Sequence, residues 1–539
     1  MATEEIVPAT TTAAATGAGT GSGGDAAEAG SGWGTLVTVV LGIIMVGVDG
    51  TVVSIANPAI ARSLHASLSD LQWITNAYLL ALAVSLIPGG KLGDRFGRRR
   101  LFLIGVAGFA LSSAGVGLAG SVGGVVAMRT LQGVFGGILL PNTLALLRAA
   151  FPGDQFNRAV GIWGASSGAA IAGGPVVGGL LVEHVSWQSV FFINVPIGVA
   201  AIVSGVLVMP ESRESVRGRF DVAGLVLLAG SLFCLVFGIV ESETLGWGDA
   251  TVLGLLAAAV VIGAVFVAVE RRTGNPLVPL HLLAQPSIAL GVVTLLITFA
   301  ALFGTAFFVS LYLQNVLDLD PVAAGVRLLP LIGLFSLASP LAGRAVGRYG
   351  PRVPITVGML LVSAALFGLL PVGATSPFWT LAVPLAVLGL GLALVVVAST
   401  EAIVAAAPVD EAGLAGGLQG LASQLGGVLG SSVLGSVLAF SVGDALSGAL
   451  RTHGVSPTVA AQVASRRDLV DQGTVPAAGG PHWHQAVVAA SHDAFISGLH
   501  LALLVAALAA LVGAACGPFV RTPTDGDGDG AERPIPVHF

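Results

Sequence analysis

Gly89-Gly90-Lys91-Leu92-Gly93-Asp94-Arg95-Phe96-Gly97-Arg98-Arg99-Arg100 is the only link between two long apolar runs, Leu71–Pro88 and Leu101–Gly120. Four glycines let the backbone turn tightly and let two helix ends approach. One acid, Asp94, sits among five basic residues. A cationic cluster between apolar helices is retained on the cytoplasmic side of a membrane. Orientation alone, however, does not require the ordered spacing G-x-L-x-D-R-x-G-R-R.

The composition agrees with a membrane location. Of 539 residues, 55% are hydrophobic and only 10% charged, with a mean hydropathy of +0.92. A soluble chain carries about 25% charged residues. The two cysteines, Cys234 and Cys516, lie in apolar runs, so neither a disulfide framework nor a thiolate metal site is expected. Residues 1–31 hold no basic residue and no apolar middle, which reads as a disordered tail rather than a signal peptide.

Fourteen apolar segments approach the ~20 residues a spanning helix needs. They lie near 34–57, 71–89, 101–120, 122–148, 158–182, 189–209, 222–240, 251–269, 287–313, 323–342, 353–371, 378–400, 413–441 and 498–519. An even number places both termini on one side. With that side cytoplasmic, 17 of the 23 basic residues fall inside and only Arg62, Arg451, Arg466 and Arg467 outside. The stretch Gly343-Arg344-Ala345-Val346-Gly347-Arg348-Tyr349-Gly350 follows segment 10 as the opening loop follows segment 2. Arg348 matches Arg95 and Tyr349 matches Phe96, but Gly347 replaces Asp94. Setting segments 7 and 8 aside leaves two six-helix halves, the arrangement of a transporter built from parallel repeats. The expected domains are an N-terminal tail (1–31), a bundle (32–210), an inserted two-helix hairpin with its linkers (211–280), a second bundle (281–519) and a disordered C-terminal tail (520–539). The second bundle carries a long external loop, 442–497, whose His482, His484 and His492 read as solvated rather than as a metal site. The Asp-Gly run at 524–530 lacks the closing Glu of an EF-hand.

Several embedded polar groups stand out. Segment 4 reads Arg129-Thr130-Leu131-Gln132-Gly133-Val134-Phe135-Gly136-Gly137. An arginine inside a spanning helix costs roughly 2.5–3.5 kcal/mol on insertion scales and needs a partner. Asp49 in segment 1 lies about 10 Å from the outer end, the depth of Arg129, at 1.5 Å per residue. The two are therefore expected to face each other across a cavity and to titrate together, although a purely structural ion pair has the same pattern. Desolvation favours the protonated carboxyl and a guanidinium the ionised one, so small rearrangements can switch such a group. In segment 5, Gly164, Gly168 and Ala172 recur every four residues as a smooth contact face, and Gly174-Pro175-Val176-Val177-Gly178-Gly179 follows. Trp187-Gln188-Ser189-Val190-Phe191-Phe192-Ile193-Asn194-Val195-Pro196-Ile197-Gly198 opens segment 6. Glu401 and Gln424 are weaker candidates, and Gln314, Asn315 and Gln424 are expected to line a cavity. Glu183, Glu241, Asp318 and Asp320 fall near helix ends.

The loop spacing, R-x-x-Q-G-x-x-G-G, G-P-x-x-G-G and W-Q-x-x-F-x-I-N-x-P-x-G together resemble the major facilitator superfamily. Within it they resemble the drug/proton antiporters with fourteen transmembrane helices, often called the EmrB/QacA group. Gln188 stands where that group has an arginine, and Ala170 where its antiporter motif has a leading glycine. The resemblance implies an all-α major facilitator fold of two six-helix bundles plus an inserted hairpin. It implies a gating loop at Gly90, Asp94, Arg95, Gly97 and Arg98 that latches the inward side. It further implies proton coupling at Asp49 and Arg129, a helix 4 motif including Gln132 and Gly133, and an antiporter motif at Gly174, Pro175, Gly178 and Gly179.

The function expected is export, by alternating access, of lipophilic drugs, cationic ones among them, or antibiotics across the cell membrane in exchange for protons. One alternative is a dedicated exporter of a single endogenous metabolite or antibiotic. Another, of a different class, is a receptor or scaffold that transports nothing, which gains little from the cost of burying Asp49 and Arg129. No nucleotide loop, metal-spaced cluster or nucleophile–base pair points to an enzyme, and no cofactor, metal or nucleic-acid partner is expected.

Overall fold

The computed structural model describes residues 22–151, 154–211, 221–274, 276–278, 280–407 and 412–520. Its long helices are α1 (Ser22–Leu64), α2 (Leu68–Phe96), α3 (Arg98–Leu118), α4 (Val122–Ala150), α5 (Asp154–His184), α6 (Asn194–Val208), α7 (Val222–Leu245) and α8 (Ala250–Glu270). They continue with α9 (Pro286–Leu311), α10 (Pro321–Tyr349), α11 (Arg352–Gly368), α12 (Phe378–Ala406), α13 (Ala412–Thr452) and α14 (His484–Cys516). Among the described residues, thirteen helical stretches are long and apolar enough to cross a membrane. The remaining expected segment, 353–371, is the 17-residue α11, which rises only about 26 Å against a hydrocarbon core of about 30 Å.

Polar caps set the helix ends. Ser67 and Asp70 form a reciprocal capping box at α2, with Ser67 N–H donating to Asp70 at 2.9 Å and Asp70 N–H to Ser67 Oγ at 3.1 Å. Asp320 caps α10, with Pro321 in its first turn, and Asp249 caps α8. At the opposite side, Gly97 takes φ +109°, the left-handed region, between α2 and α3.

Packing repeats between the two halves of the chain. In the first, α1 pairs with α5 and α6, α4 with α2 and α3, and α3 with α6. In the second, α9 pairs with α13 and α14, α12 with α10 and α11, and α11 with α14. Each pair reappears eight helices later. Between the halves α5 packs on α10 and α2 on α13, which are again equivalent pairs. Helices α7 and α8 pack on each other, and α7 also lies against α2 and α13.

The halves are bonded at the end that carries the 64–68 turn. Ser310 donates to the Ser54 carbonyl at 2.6 Å, Gln314 to the Ile55 carbonyl at 3.1 Å, and Gln472 to the Ala66 carbonyl at 3.1 Å. Close backbone approach adds to this. A Cβ on Gly179 would stand 2.5 Å from the Pro321 carbonyl, and one on Gly325 would collide with the Pro175 carbonyl.

Two sequence expectations need correction here. The connection expected at 442–497 is shorter, because α13 runs on to Thr452 and α14 starts at His484. Val442, Leu446 and Leu450 are buried on one face at four-residue spacing, so the helix continues after its hydropathy falls. His484 and His492 therefore belong to α14, and residues 453–483 form the loop, with short helices at Pro457–Ala464 and Arg467–Val470. The second correction concerns the small-residue face of α5. A Cβ at Gly164 would meet open space and one at Gly168 only Ser336 Oγ at 3.8 Å. The tight contacts lie further along, where a Cβ on Gly174 would strike Thr51 and one on Gly178 would stand 2.6 Å from Val52. Small residues tolerate close packing but do not choose which face receives it. Residues 1–21 and 521–539 lie outside the described residues, as do Arg213, Arg217 and Arg219, whereas residues 22–31, expected in the disordered tail, are the first turns of α1.

Candidate functional site

Glycine determines how deeply α4 sinks against α2. A Cβ on Gly133 would collide with the Tyr78 carbonyl, and one on Gly137 would stand 2.5 Å from Ser85 Cβ. This close contact carries Arg129, one turn earlier, over the Tyr78 ring, with Cζ 4.0 Å from the ring centroid. Arg129 Nε donates to the Ile74 carbonyl at 3.2 Å, and Nη1 reaches Asp49 Oδ2 at 2.5 Å and Gln132 Oε1 at 2.8 Å.

Asp49 is completely buried and Arg129 nearly so, at 0% and 1% exposure. Both carboxylate oxygens are occupied. Oδ2 takes Arg129, while Oδ1 accepts from Gln132 Nε2 at 2.7 Å and from Asn194 Nδ2 at 3.1 Å. Asn194 in turn donates to Ser113 Oγ at 2.9 Å, and Ser113 donates to the Phe191 carbonyl at 2.8 Å. Four helices, α1, α3, α4 and α6, thus converge on one carboxylate. Burial of an ion pair is favourable only with such geometry and such additional donors. Sequence reading missed Asn194 and Ser113, although Asn194 lies eight residues beyond Ser186, a depth comparable to that of Asp49.

A cavity of about 260 Å³ lies beside the pair, between the two halves. Phe299, Phe303, Phe307 and Phe335 supply much of its wall, with Ser167 and Gln424 among its polar groups. Arg129 lines it; Asp49 does not. The pair expected to face each other across a cavity is therefore in direct contact within its wall, with the carboxylate sealed behind the guanidinium. Gln314 and Asn315 are also corrected. They do not line this cavity but bind the Ile55 and Gln472 carbonyls at the bonded end, where α9 ends in a π-turn, Tyr312–Val316. Glu401 is exposed near the end of α12, and Glu183 accepts from Val322 N–H at 3.3 Å.

The glycine-rich stretch expected as a loop is helical except at Gly97, because α2 runs to Phe96 and α3 starts at Arg98, and contacts at both ends order it. A Cβ on Gly93 would collide with Asn142, whose Nδ2 donates to the Gly89 carbonyl at 3.2 Å, and Gly90 faces Pro141. Asp94 Oδ1 accepts from Arg98 Nε and Nη2, both at 2.8 Å. Glu211, which drew no notice in the sequence, accepts from Arg99 N–H at 3.2 Å at the start of α3. Arg95 lies 5.4 Å from the Phe96 ring centroid, and Arg348 lies 5.3 Å from that of Tyr349. The two loops therefore share this feature despite Gly347 replacing Asp94.

Comparison with known proteins gives matches over most of the chain. The family model described as Major Facilitator Superfamily matches residues 39–431. The tetracenomycin C resistance and export protein of Streptomyces glaucescens is 46% identical over 511 residues, 94% of this chain and 95% of that protein. Multidrug resistance protein Stp of Mycobacterium tuberculosis (strain CDC 1551 / Oshkosh) is 35% identical, covering 88% of this chain and 89% of its own. A solved structure of a bacterial homolog to the human lysosomal transporter Spinster, inward-facing and unoccupied, is similar with a TM-score of 0.60 at 15% identity. It covers 92% of this chain and 99% of that one, a likeness of fold.

Removing the amide of Asn194 tests the carboxylate network. Asn194→Ala takes one donor from a fully buried carboxylate and should cost about 1–3 kcal/mol of stability, measured by unfolding of the purified protein in detergent. A change within about 0.5 kcal/mol, the range of an ordinary surface substitution, would show that the bond contributes nothing.

Proposed function

This chain belongs to the major facilitator superfamily, and we propose that it is a proton-coupled exporter of lipophilic drugs or antibiotics. It is a multi-pass membrane protein of a family of transporters, not of enzymes. Relatives alike over almost their whole length are named for tetracenomycin C resistance and export and for multidrug resistance, which supports export as the direction and drugs as the cargo.

The observation that carries proton coupling is the sealed carboxylate in the cavity wall. Protonation of Asp49 would cancel its charge attraction to Arg129, leaving the guanidinium to Tyr78, Gln132 and the Ile74 carbonyl. That change falls at the junction of α1 and α4, and α1 packs on α5 through Thr51 and Val52. Helix α5 in turn touches α10 through Gly179 and Pro175. A displacement at Asp49 thus has a short packed route to the seam between the halves. Rocking of the halves about a central site is the way transporters built from parallel repeats alternate access. One proton moving down 100 mV supplies about 2.3 kcal/mol before any pH gradient is added.

In this reading α11 spans as well, giving fourteen crossings, and the six-helix halves are the moving bodies. The Asp94 loop serves as the inward latch; its Asp94–Arg98 pair is local and can be exchanged for a partner across the seam. Both termini and this loop are cytoplasmic, on the strength of the distribution of basic residues. Ser465, exposed in the 453–483 loop, tests that orientation. A Ser465→Cys protein should react with an impermeant thiol reagent on intact cells, and protection until lysis would reverse the topology.

Cellular accumulation tests the function. Cells carrying the chain should retain less tetracenomycin C than cells without it, and an uncoupler should abolish the difference. Asp94→Asn, at equal surface expression, should slow efflux several-fold without preventing membrane insertion. Equal retention with and without the chain would remove the exporter reading, and wild-type efflux by Asp94→Asn would remove the latch.

A further inference from the structure

The charge that the cavity presents comes from one side chain. Among the described residues that line it, Arg129 is the only charged one, and none is acidic. The nearby carboxylate, Asp49, has no exposure and both of its oxygens are bonded. Arg129 Nη2 carries no hydrogen bond among the described residues, although Nε and Nη1 are both engaged. A buried guanidinium in the cavity wall thus has a donor left to offer.

The lining hydroxyls complement it. Thr75 donates to the Leu71 carbonyl, Ser423 to the Gln419 carbonyl and Ser54 to the Thr51 carbonyl, at 3.3, 2.9 and 2.8 Å. With their protons turned back into their own helices, these oxygens have lone pairs left to accept O–H or N–H groups. Phe299 and Phe303 lie nearly parallel, with centroids 6.3 Å apart, and line the same space. We propose, building on the exporter reading, that the cavity selects aromatic molecules that are neutral or anionic, such as polyphenols and hydroxyquinones, and rejects permanent cations.

The decision between these classes rests on relative magnitudes. A phenolate or quinone oxygen gains a charge-assisted hydrogen bond from Arg129. Its hydroxyls find acceptors, and its ring finds aromatic faces. A quaternary cation has no donor for those oxygens and meets the guanidinium end of the ion pair, with the carboxylate behind it. Its compensation is attraction to phenylalanine faces, which is weak beside the cost of burying an unpaired charge. The face of Tyr78 is already covered by Arg129.

Binding to the purified full chain, without any gradient, separates this inference from the exporter reading. The probes are emodin, a trihydroxyanthraquinone, and ethidium, a permanent aromatic cation, each followed by its own fluorescence. Emodin should bind at least tenfold more tightly than ethidium. Gln424→Glu, which keeps the side-chain shape but adds a carboxylate to the wall, should narrow that ratio at least tenfold, and Ser167→Asp should do the same from α5. Ethidium binding as tightly as emodin in the wild type, binding of neither probe, or an unchanged ratio in both folded variants would overturn the proposal. None of those results bears on whether the chain pumps, which the accumulation experiment decides separately.

Discussion

A carboxylate and a guanidinium, both withdrawn from water in the middle of a helical bundle, set the main constraint on this structure. An unpaired charge there is expensive, and a pair is tolerable only when its remaining valences are filled. Gln132 and Asn194 fill those of Asp49, while the Ile74 carbonyl and the Tyr78 face hold Arg129. With the pair itself and the Ser113 that backs Asn194, these groups come from five helices, so their positions are tied to one another. Gly133 is required because anything larger would lift α4 from α2 and withdraw the arginine from its place.

The same logic of close approach extends to the seam between the halves. Gly174 and Gly178 fit α5 to α1, whereas Gly179 and Pro175 fit it to α10. One helix therefore reports on both the charged site and the interface. The twofold repeat makes α2 and α13 the equivalent pair, where Asn76 bonds Ser431 and Ser432 at 2.5 and 2.8 Å. The repeat is broken at the charged site, since the counterpart half has no matching acid–arginine pair among the described residues. It is broken again at the loops. Gly343 and Gly347 face open space, whereas Gly89 and Gly93 are packed against α4. Among the described residues, the buried acid–arginine pair is thus confined to one half.

Much of this was legible in the sequence because hydropathy, loop charge and depth are one-dimensional quantities. Counting residues from a helix end placed Asp49 level with Arg129 before any contact was known. Asn194 obeys the same count but was read only as part of the Trp187–Gly198 motif. Ser113 and Tyr78 gave no signal, since their roles exist only through three-dimensional neighbours. The face of α5 that makes close contact was misread for a related reason: Gly164 and Gly174 are equally small, and only the positions of α1 and α10 distinguish them. Helix ends beyond the apolar stretch were likewise hidden from hydropathy, although the spacing of Val442, Leu446 and Leu450 carried them. The sign of the cavity was the largest omission. Depth along the helix could not show that the Asp49 carboxylate is turned into the bundle while its arginine partner lines the cavity.

Gradient-driven efflux by Asp49→Asn is the most direct measurement of the central claim. Asparagine keeps the shape of the side chain and an oxygen for Arg129, but it neither titrates nor carries charge. In vesicles given an imposed pH gradient, with the variant present at the wild-type level and folded, export of a drug that the wild-type chain exports should fall to the level of empty vesicles. Asp49→Glu should keep part of the activity with a displaced pH profile. Undiminished export by Asp49→Asn under the same gradient would contradict the account and move the proton site away from the Asp49–Arg129 pair.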